Sequence, residues 1–388
     1  ICNVAIGKNA LAAATTGCRN VAIGELAMGA AVTTGINNIA IGNSTMDALT
    51  TGVNNIAIGI DTLGGATIGC RNVAIGQCTM AGVTTGQADG NVAIGRNALY
   101  GVAGTTGDEN VAIGTDAMAA ATTGNNNIAM GRNVAAALTT GCDNIAIGYS
   151  ALAASTGGTN NIAMGESAIA GADTSGTDNI GIGRCTGNAL TSGGENTMVG
   201  PGAGAGLVAG GGNALLGQNS GNNPELNGNF VNHIGLGNQS TTNFYATVAL
   251  SVLSDSRDKT DVEELDLGLD FINDLNPVYY RWDKRGWYDP YSEVVPQNVK
   301  EKEEYSDFKP DGSMKKDKWN IGLLAQEVLA AEKKHTDRVQ TDETKQNEGF
   351  NVNGTDHLGY SMTYTSLIMP LIASVKELTK RLIVLENK

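Results

Sequence analysis

Aromatic side chains are scarce in this chain: 18 Phe, Trp and Tyr among 388 residues, of which only Tyr100, Tyr149, Phe230, Phe244 and Tyr245 precede residue 254. Set beside 53 glycines, that scarcity excludes the aromatic-packed core of an ordinary enzyme. Positive charge is short as well. Against 39 Asp and Glu stand 25 Lys and Arg, a net charge of −14, so counterion release cannot drive binding and neither nucleic acid nor an anionic membrane is an expected partner. No apolar run approaches the roughly 20 residues of a spanning helix, and no basic-then-apolar leader opens the chain, so membrane insertion is not expected. The first residue is Ile1 rather than Met, as expected of a piece of a longer protein.

Metal and disulfide chemistry are missing too. Of the six cysteines, Cys18, Cys70 and Cys142 share one column of the repeat described below, Cys78 and Cys185 share another, Cys2 stands at the start, and no CxxC pair occurs. Scattered membership of a column marks a small, buried, interchangeable residue, so no metal and no cofactor are expected. Carboxylates before residue 217 are too sparse and irregular for the paired acids of a glycosidase.

What is present divides at Ser254. Residues 1–253 hold 46 glycines and 19 charged residues, whereas the last 135 hold 7 glycines and 45 charged residues. The first part is a repeat. The pentad Asn3-Val4-Ala5-Ile6-Gly7 returns at Asn20, Asn38, Asn55, Asn72, Asn91, Asn110, Asn127, Asn144, Asn161, Asn179, Asn196 and Asn213, at spacings of 17 to 19 residues. A degenerate copy, Asn232-His233-Ile234-Gly235, begins 19 residues later. Seven residues after each Asn comes a small residue, then a longer apolar one such as Leu11 or Met28, and Thr-Thr-Gly closes most units. Thr-Gly is turn chemistry.

A strand period of two puts Val4 and Ile6 on one face and Asn3, Ala5 and Gly7 on the other. Stacked at about 4.8 Å per coil, the Val/Ile pairs are expected to form a continuous apolar column in a rod on the order of 60 Å long, with the smooth Ala/Gly face free to meet a sister chain. The repeated Asn is expected to form a ladder of side-chain amides. This repeat resembles the coils of trimeric autotransporter adhesin heads and of some phage tail fibres, both parallel β-rolls or β-helices built as trimers.

Past Ser254 the pattern predicts a helix over Leu265–Leu275, a half-buried edge strand over Asn276–Trp282 and a strand running into a helix over Ile321–Val328. Residues 283–318 and 337–356 read as loops or excursions. A final helix carries Leu371, Val375, Leu378, Leu382 and Leu385 at spacings of 4, 3, 4 and 3, a coiled-coil seam of two heptads with Pro370 in its first turn. The stretches Ser254-Asp-Ser-Arg-Asp-Lys-Thr-Asp261, Leu275-Asn-Pro-Val-Tyr-Tyr-Arg-Trp282, Gly322-Leu-Leu-Ala-Gln-Glu-Val328 and Tyr364-Thr-Ser-Leu367, with the Leu-seamed tail, resemble the C-terminal intramolecular chaperone of endosialidases and phage tail fibres.

That resemblance implies a domain that trimerises, templates folding of the stalk and then cuts itself off before a Ser, with a Lys five residues later. Here the nucleophile is Ser254, the base Lys259 and the bond Leu253–Ser254. A Lys desolvated in a trimer interface can lose its proton and activate the hydroxyl. Asp258 departs from the family pattern, which has an apolar residue there, and a carboxylate beside Lys259 favours the charged amine.

The expected fold is therefore mainly β: a parallel β-solenoid over residues 1–221 in a homotrimer, a degenerate repeat and connector over 222–253, and a small α+β chaperone and autoprotease domain over 254–388 ending in a coiled-coil-like helix. The expected function is that of a virion tail fibre or spike, extracellular, attaching to a host surface glycan or protein and assembled with other tail or fibre proteins. Receptor contacts are expected in the variable loops or among Phe230, His233, Phe244 and Tyr245, where the aromatics collect. Two alternatives stand beside it. A bacterial trimeric adhesin would end in alternating barrel strands and not in the charged helix read here, and a glycan-degrading fibre enzyme would need an acid pair.

Overall fold

The computed structural model describes residues 2–83, 88–101, 106–171, 175–222, 229–238, 241, 259–283, 288, 309–336, 347–348, 352–355 and 359–387. The chain forms two compact units, Ile1–Asn243 and Phe244–Lys388. In the first unit every pentad becomes a three-residue strand, from β1 (Val4–Ile6) to β14 (Ile234–Leu236), numbered in chain order. Each strand pairs in parallel with the one before and after it, Val4 opposite Val21, Ala5 opposite Ala22 and Ile6 opposite Ile23. The result is a single 14-stranded ladder, a parallel β-solenoid of about 60 Å at about 4.8 Å per step.

The strand faces are the reverse of the sequence expectation. The alanines of the strands, Ala22, Ala40, Ala57, Ala74 and their equivalents, are fully buried, while Val and Ile on either side are half-buried or exposed and point outward. The Ala column is thus the interior of the chain's own coil and not a smooth face for a sister chain. Volume explains the inversion. The longer apolar residue eight positions after each Asn, Met28, Met46, Met80, Leu99 or Met118, is fully buried and reaches across the narrow coil, which leaves room for only a methyl on the strand opposite. Late coils exchange the two sizes: Met198 and Leu215 replace Ala on the strand, and Gly204 and Gly221 replace the long residue. A Cβ on Gly221 would stand 2.7 Å from the Leu215 side chain.

The Asn ladder is present and carries more than amide stacking. Asn127 Oδ1 accepts the backbone N–H of Asn144 at 3.0 Å and its side-chain amide at 3.0 Å, while Asn127 Nδ2 donates to the Gly141 carbonyl at 2.9 Å. The same set recurs at Asn38, Asn55, Asn144, Asn161 and Asn179. A buried strand start that would otherwise orphan one N–H and one C=O per coil is satisfied by one side chain.

Glycine closes each pentad for a steric reason. Gly24 lies at φ +136°, and a Cβ there would stand 2.3 Å from the Gly42 carbonyl oxygen of the next coil. Corners elsewhere are made by non-glycine residues in the left-handed region, such as Arg19 (φ 61°), Leu26 (φ 58°) and Met28 (φ 51°) within one stretch. Each costs about 1–2 kcal/mol in isolation, which the inter-coil hydrogen bonds at about 1 kcal/mol each offset.

Two further expectations are corrected. The last coil is shifted by one residue: Ala214 pairs with Ile234, and the N–H of His233, not Asn232, donates to Asn213 Oδ1 at 2.9 Å. His233 occupies the ladder position, and Asn232 takes the left-handed corner (φ 57°). The cysteines are free thiols and, against the expectation of burial, Cys2 is exposed and the other five are half-buried. Two of them serve as acceptors, Cys70 Sγ receiving the Val53 N–H and Cys142 Sγ the Asn125 N–H, each at 3.4 Å. Asp89 and Asp108 play the same part in neighbouring coils, accepting the N–H groups of Cys70 and Asp89 at 2.7 Å. Thr50, Thr122 and Thr139 donate through Oγ1 to the carbonyl one coil on, at 2.9–3.0 Å, which is turn chemistry.

The second unit contains α1 (Leu269–Asp274), β15 (Val278–Tyr280), β16 (Asn320–Gly322), α2 (Ala325–His335), β17 (Asn347–Glu348), β18 (Val352–Thr355), β19 (Gly359–Met362), a 3-10 turn (Tyr364–Leu367) and α3 (Ile368–Glu386). Strands β15 and β16 form an antiparallel ribbon, and β17, β18 and β19 an antiparallel meander. Helix α1 is shorter than the Leu265–Leu275 expectation. The stretch read as an excursion over 337–356 contains β17 and β18, whose sequences, Asn347-Glu348 and Val352-Asn-Gly-Thr355, carry no alternating apolar signal. Small cores gather around Phe271 with Leu267 and Ala331, and around Val328 with Leu329 and Val352.

Candidate autoprocessing site and assembly surfaces

Leu253, Ser254 and Asp258 lie outside the described residues, as do Phe244 and Tyr245. Lys259 is described and exposed, in an irregular segment that runs toward α1. Of the remaining receptor candidates, Phe230 is a core residue of the last solenoid coil at 7% exposure, its carbonyl taking the Asn213 side-chain amide at 2.9 Å. His233 is exposed and meets the Phe230 ring edge-on at 5.3 Å. Phe230 therefore supports the coil and does not stand on a surface that a receptor could reach.

Helix α3 presents its seam to solvent. Leu371, Val375, Leu378, Leu382 and Leu385 are 48–65% exposed. The side turned to its own unit is small or polar: Pro370 and Ser374 are buried, and Glu377 accepts the N–H of Leu269 at the start of α1 at 3.3 Å. An amphipathic helix packed on its own domain would bury the leucines; this one buries the opposite face.

Helices α1 and α2 are also tied at the surface by groups that no spacing in the sequence announced. Asp274, the last residue of α1, accepts hydrogen bonds from Lys334 Nζ at 2.6 Å and from His335 Nε2 at 2.5 Å at the end of α2. The hydrogen bond from Lys334, then that from His335, holds the Asp274 carboxyl below its usual range. Thr336 donates to Asp266 at 2.8 Å. On the ribbon, the Tyr364 hydroxyl accepts the Leu323 N–H at 3.0 Å, and burial, then the neighbouring Tyr364, pushes the Tyr280 hydroxyl up. Sixty residues separate Asp274 from Lys334, and only the fold reveals their meeting.

The solenoid's outward strand face is the other large surface. Along it run two columns, one starting Val4, Val21, Ile39 and the other Ile6, Ile23, Ile41, each half-buried or exposed; the second is apolar through every strand and the first is so except at Thr197. Monomeric soluble proteins rarely leave so large a contiguous apolar patch open to water. Among the described residues no group of His, Cys, Asp and Glu is arranged to hold a metal ion, and no helix is long and apolar enough to cross a membrane.

No curated protein matches the chain. Residues 254–337 match a family model described as the chaperone of endosialidase, so the first part of the segment that follows the solenoid is similar to that chaperone.

Proposed function

We propose that this chain is the stalk or tip of a virion-borne tail fibre or spike for host attachment, a homotrimer whose C-terminal domain templates the β-solenoid and then releases itself by cutting Leu253–Ser254. The observation that carries the reading is the pairing of a parallel solenoid with a chaperone-of-endosialidase match that starts at Ser254. The exposed α3 seam and the uncovered Val/Ile face, one in each unit, supply surfaces for self-association.

The need for a template follows from the repeat. Chains of near-identical coils can slip past one another by a whole coil with little local penalty, and a C-terminal domain that holds the ends together removes the ambiguity and raises the effective concentration of the stalks. In the cut, Ser254 Oγ attacks the Leu253 carbonyl carbon while Lys259 takes its proton. The peptide C–N bond breaks, the proton passes to the new amine of Ser254, and water hydrolyses the resulting ester. Lys259 is exposed in the single chain, so the proposed cut depends on neighbouring chains enclosing it. Intact mass of the expressed chain beside Ser254→Ala tests the reading: fragments of 253 and 135 residues from the parent and none from the variant are expected. Full-length chain from both, or a monomer by light scattering, would overturn its release and its assembly respectively.

A further inference from the structure

The two outward columns are flanked on both sides by largely exposed columns that carry charge in several coils and apolar residues such as Ile60 and Tyr149 in others. Counting from the ladder Asn, one flank lies one residue before it and carries Arg19, Arg71, Glu109, Asp143, Asp178 and Glu195; the other lies five after it and carries Lys8, Glu25, Arg96, Arg132, Glu166 and Arg184. All twelve are exposed. The backbone ladder runs the full width between them: the Asn37 N–H reaches the Cys18 carbonyl on one side and the Leu26 N–H the Lys8 carbonyl on the other.

In any cyclic assembly of parallel rods about an axis along their length, whatever the number of chains, the leading flank of one chain meets the trailing flank of the next. The apolar columns cannot choose which coils lie level, because Val and Ile look alike from coil to coil. Charge can choose. With coils level, Arg19 faces Glu25 of the next chain and Asp178 faces Arg184, and no like charges meet. A shift of one coil in one direction puts Arg19 against Lys8 and Asp178 against Glu166, beside favourable meetings of Glu109 with Arg96, Asp143 with Arg132 and Glu195 with Arg184. A shift in the other direction puts Arg71 against Arg96 and Asp143 against Glu166, with one favourable meeting, Glu109 with Arg132.

We propose that the solenoid associates through its Val/Ile face with further copies of this chain, parallel and with coils level, and that Arg19–Glu25 and Asp178–Arg184 contacts between chains select that register over its one-coil neighbours. The proposal rests on the self-association of the proposed function but not on the number of chains. It adds a second register device, built into the stalk itself and far along the chain from the C-terminal domain.

A charge-reversal cycle on the full chain tests it, read as the unfolding midpoint at low salt with light scattering on each variant. Arg19→Glu is expected to lower the midpoint by about 2–4 °C, and adding Glu25→Arg to restore most of the loss relative to Glu25→Arg alone. The within-chain Lys8–Glu25 pair, at 3.5 Å, is lost in both arms of that comparison and so cancels. Asp178→Arg and Arg184→Asp form a second cycle at the other end, which keeps the test open if the first pair impairs folding. The signs discriminate. In the first shifted register Arg19→Glu meets Lys8 and Asp178→Arg meets Glu166, so both would raise the midpoint; in the second, Arg19 meets Asn43 and its reversal would have no effect. Either outcome with an oligomeric parent overturns the register while leaving assembly standing. A monomeric parent overturns the self-association beneath it.

Discussion

Gly204 lies against Met198: a Cβ on Gly204 would stand 2.5 Å from the methionine sulfur. The pair is the inverse of Ala22 with Met28, since the bulk that fills one coil from the turn fills the other from the strand. Gly204→Ala is expected to destabilise the solenoid by about 1–3 kcal/mol through overpacking. The double change Met198→Ala/Gly204→Leu restores the size order of the earlier coils and is expected to fall within about 1.5 kcal/mol of the parent. Denaturant midpoints of the three proteins check this; equal midpoints for Gly204→Ala and the parent would remove the packing argument.

Removing one rung of the Asn ladder should cost more than removing an exposed polar residue of the same coil. Asn127→Ala strips the acceptor from the Asn144 N–H and the donor from the Gly141 carbonyl, both buried, for a loss of about 2 kcal/mol or more. Thr123→Ala, on an exposed turn, should change stability by less than about 0.5 kcal/mol. Hydrogen exchange should show the Asn127→Ala loss first at the amides of Asn144 and Ile145.

The leucine seam of α3 can be separated from the folding of its unit. Leu378→Glu with Leu382→Glu should abolish the self-association proposed above, because both side chains face solvent in the single chain. Helicity should remain, since Pro370, Ser374 and Glu377 make the contacts to the unit's own core. Light scattering and circular dichroism on the same sample read the two effects. Loss of helicity together with mass would show that the seam packs within the chain.

Autoproteolysis, if it follows the Ser254–Lys259 assignment, is first order and needs no added protease. Lys259→Ala should stop it while leaving assembly intact. Asp258→Leu should leave the rate unchanged or raise it, because a carboxylate beside the amine favours its charged form. A slower cut in Asp258→Leu would assign the carboxylate a supporting role.

Acid should loosen the second unit through Asp274. Its carboxyl is held below the usual value near 3.9 by Lys334 and His335, so the stabilisation is in place above the unfolded value and is lost as the pH falls through the lower folded value. Lys334→Met with His335→Gln should flatten that acid limb and leave stability at neutral pH less affected by further acidification. A pH titration of the unfolding midpoint checks the slope.

The solenoid, its strand register and its Asn ladder were legible because one pentad recurs with a spacing that varies only at the turns. Which strand face is inside was not legible from Val-Ala-Ile, because a period of two defines two faces without saying which is covered. The deciding residues lie eight positions beyond each Asn, on the far side of the coil. Their exchange of size with the strand, Ala22 with Met28 against Met198 with Gly204, was the available signal. The last coil departs from the expected register for a related reason: Asn232 offers the ladder residue one position early, and only the pairing of Ala214 with Ile234 shows that His233 takes its place. In the second unit the helix seam and the β15–β16 elements followed from pattern, whereas the Asp274 contacts depend on chain segments that pattern cannot bring together.

The direction of the ladder has a mechanical consequence. The ladder bonds, from Asn20 N–H to Asn3 Oδ1 up to His233 N–H to Asn213 Oδ1, join each coil to the next. A tensile load on a single chain therefore falls on one coil junction after another in series, so the chain peels from an end coil by coil at the strength of its weakest junction.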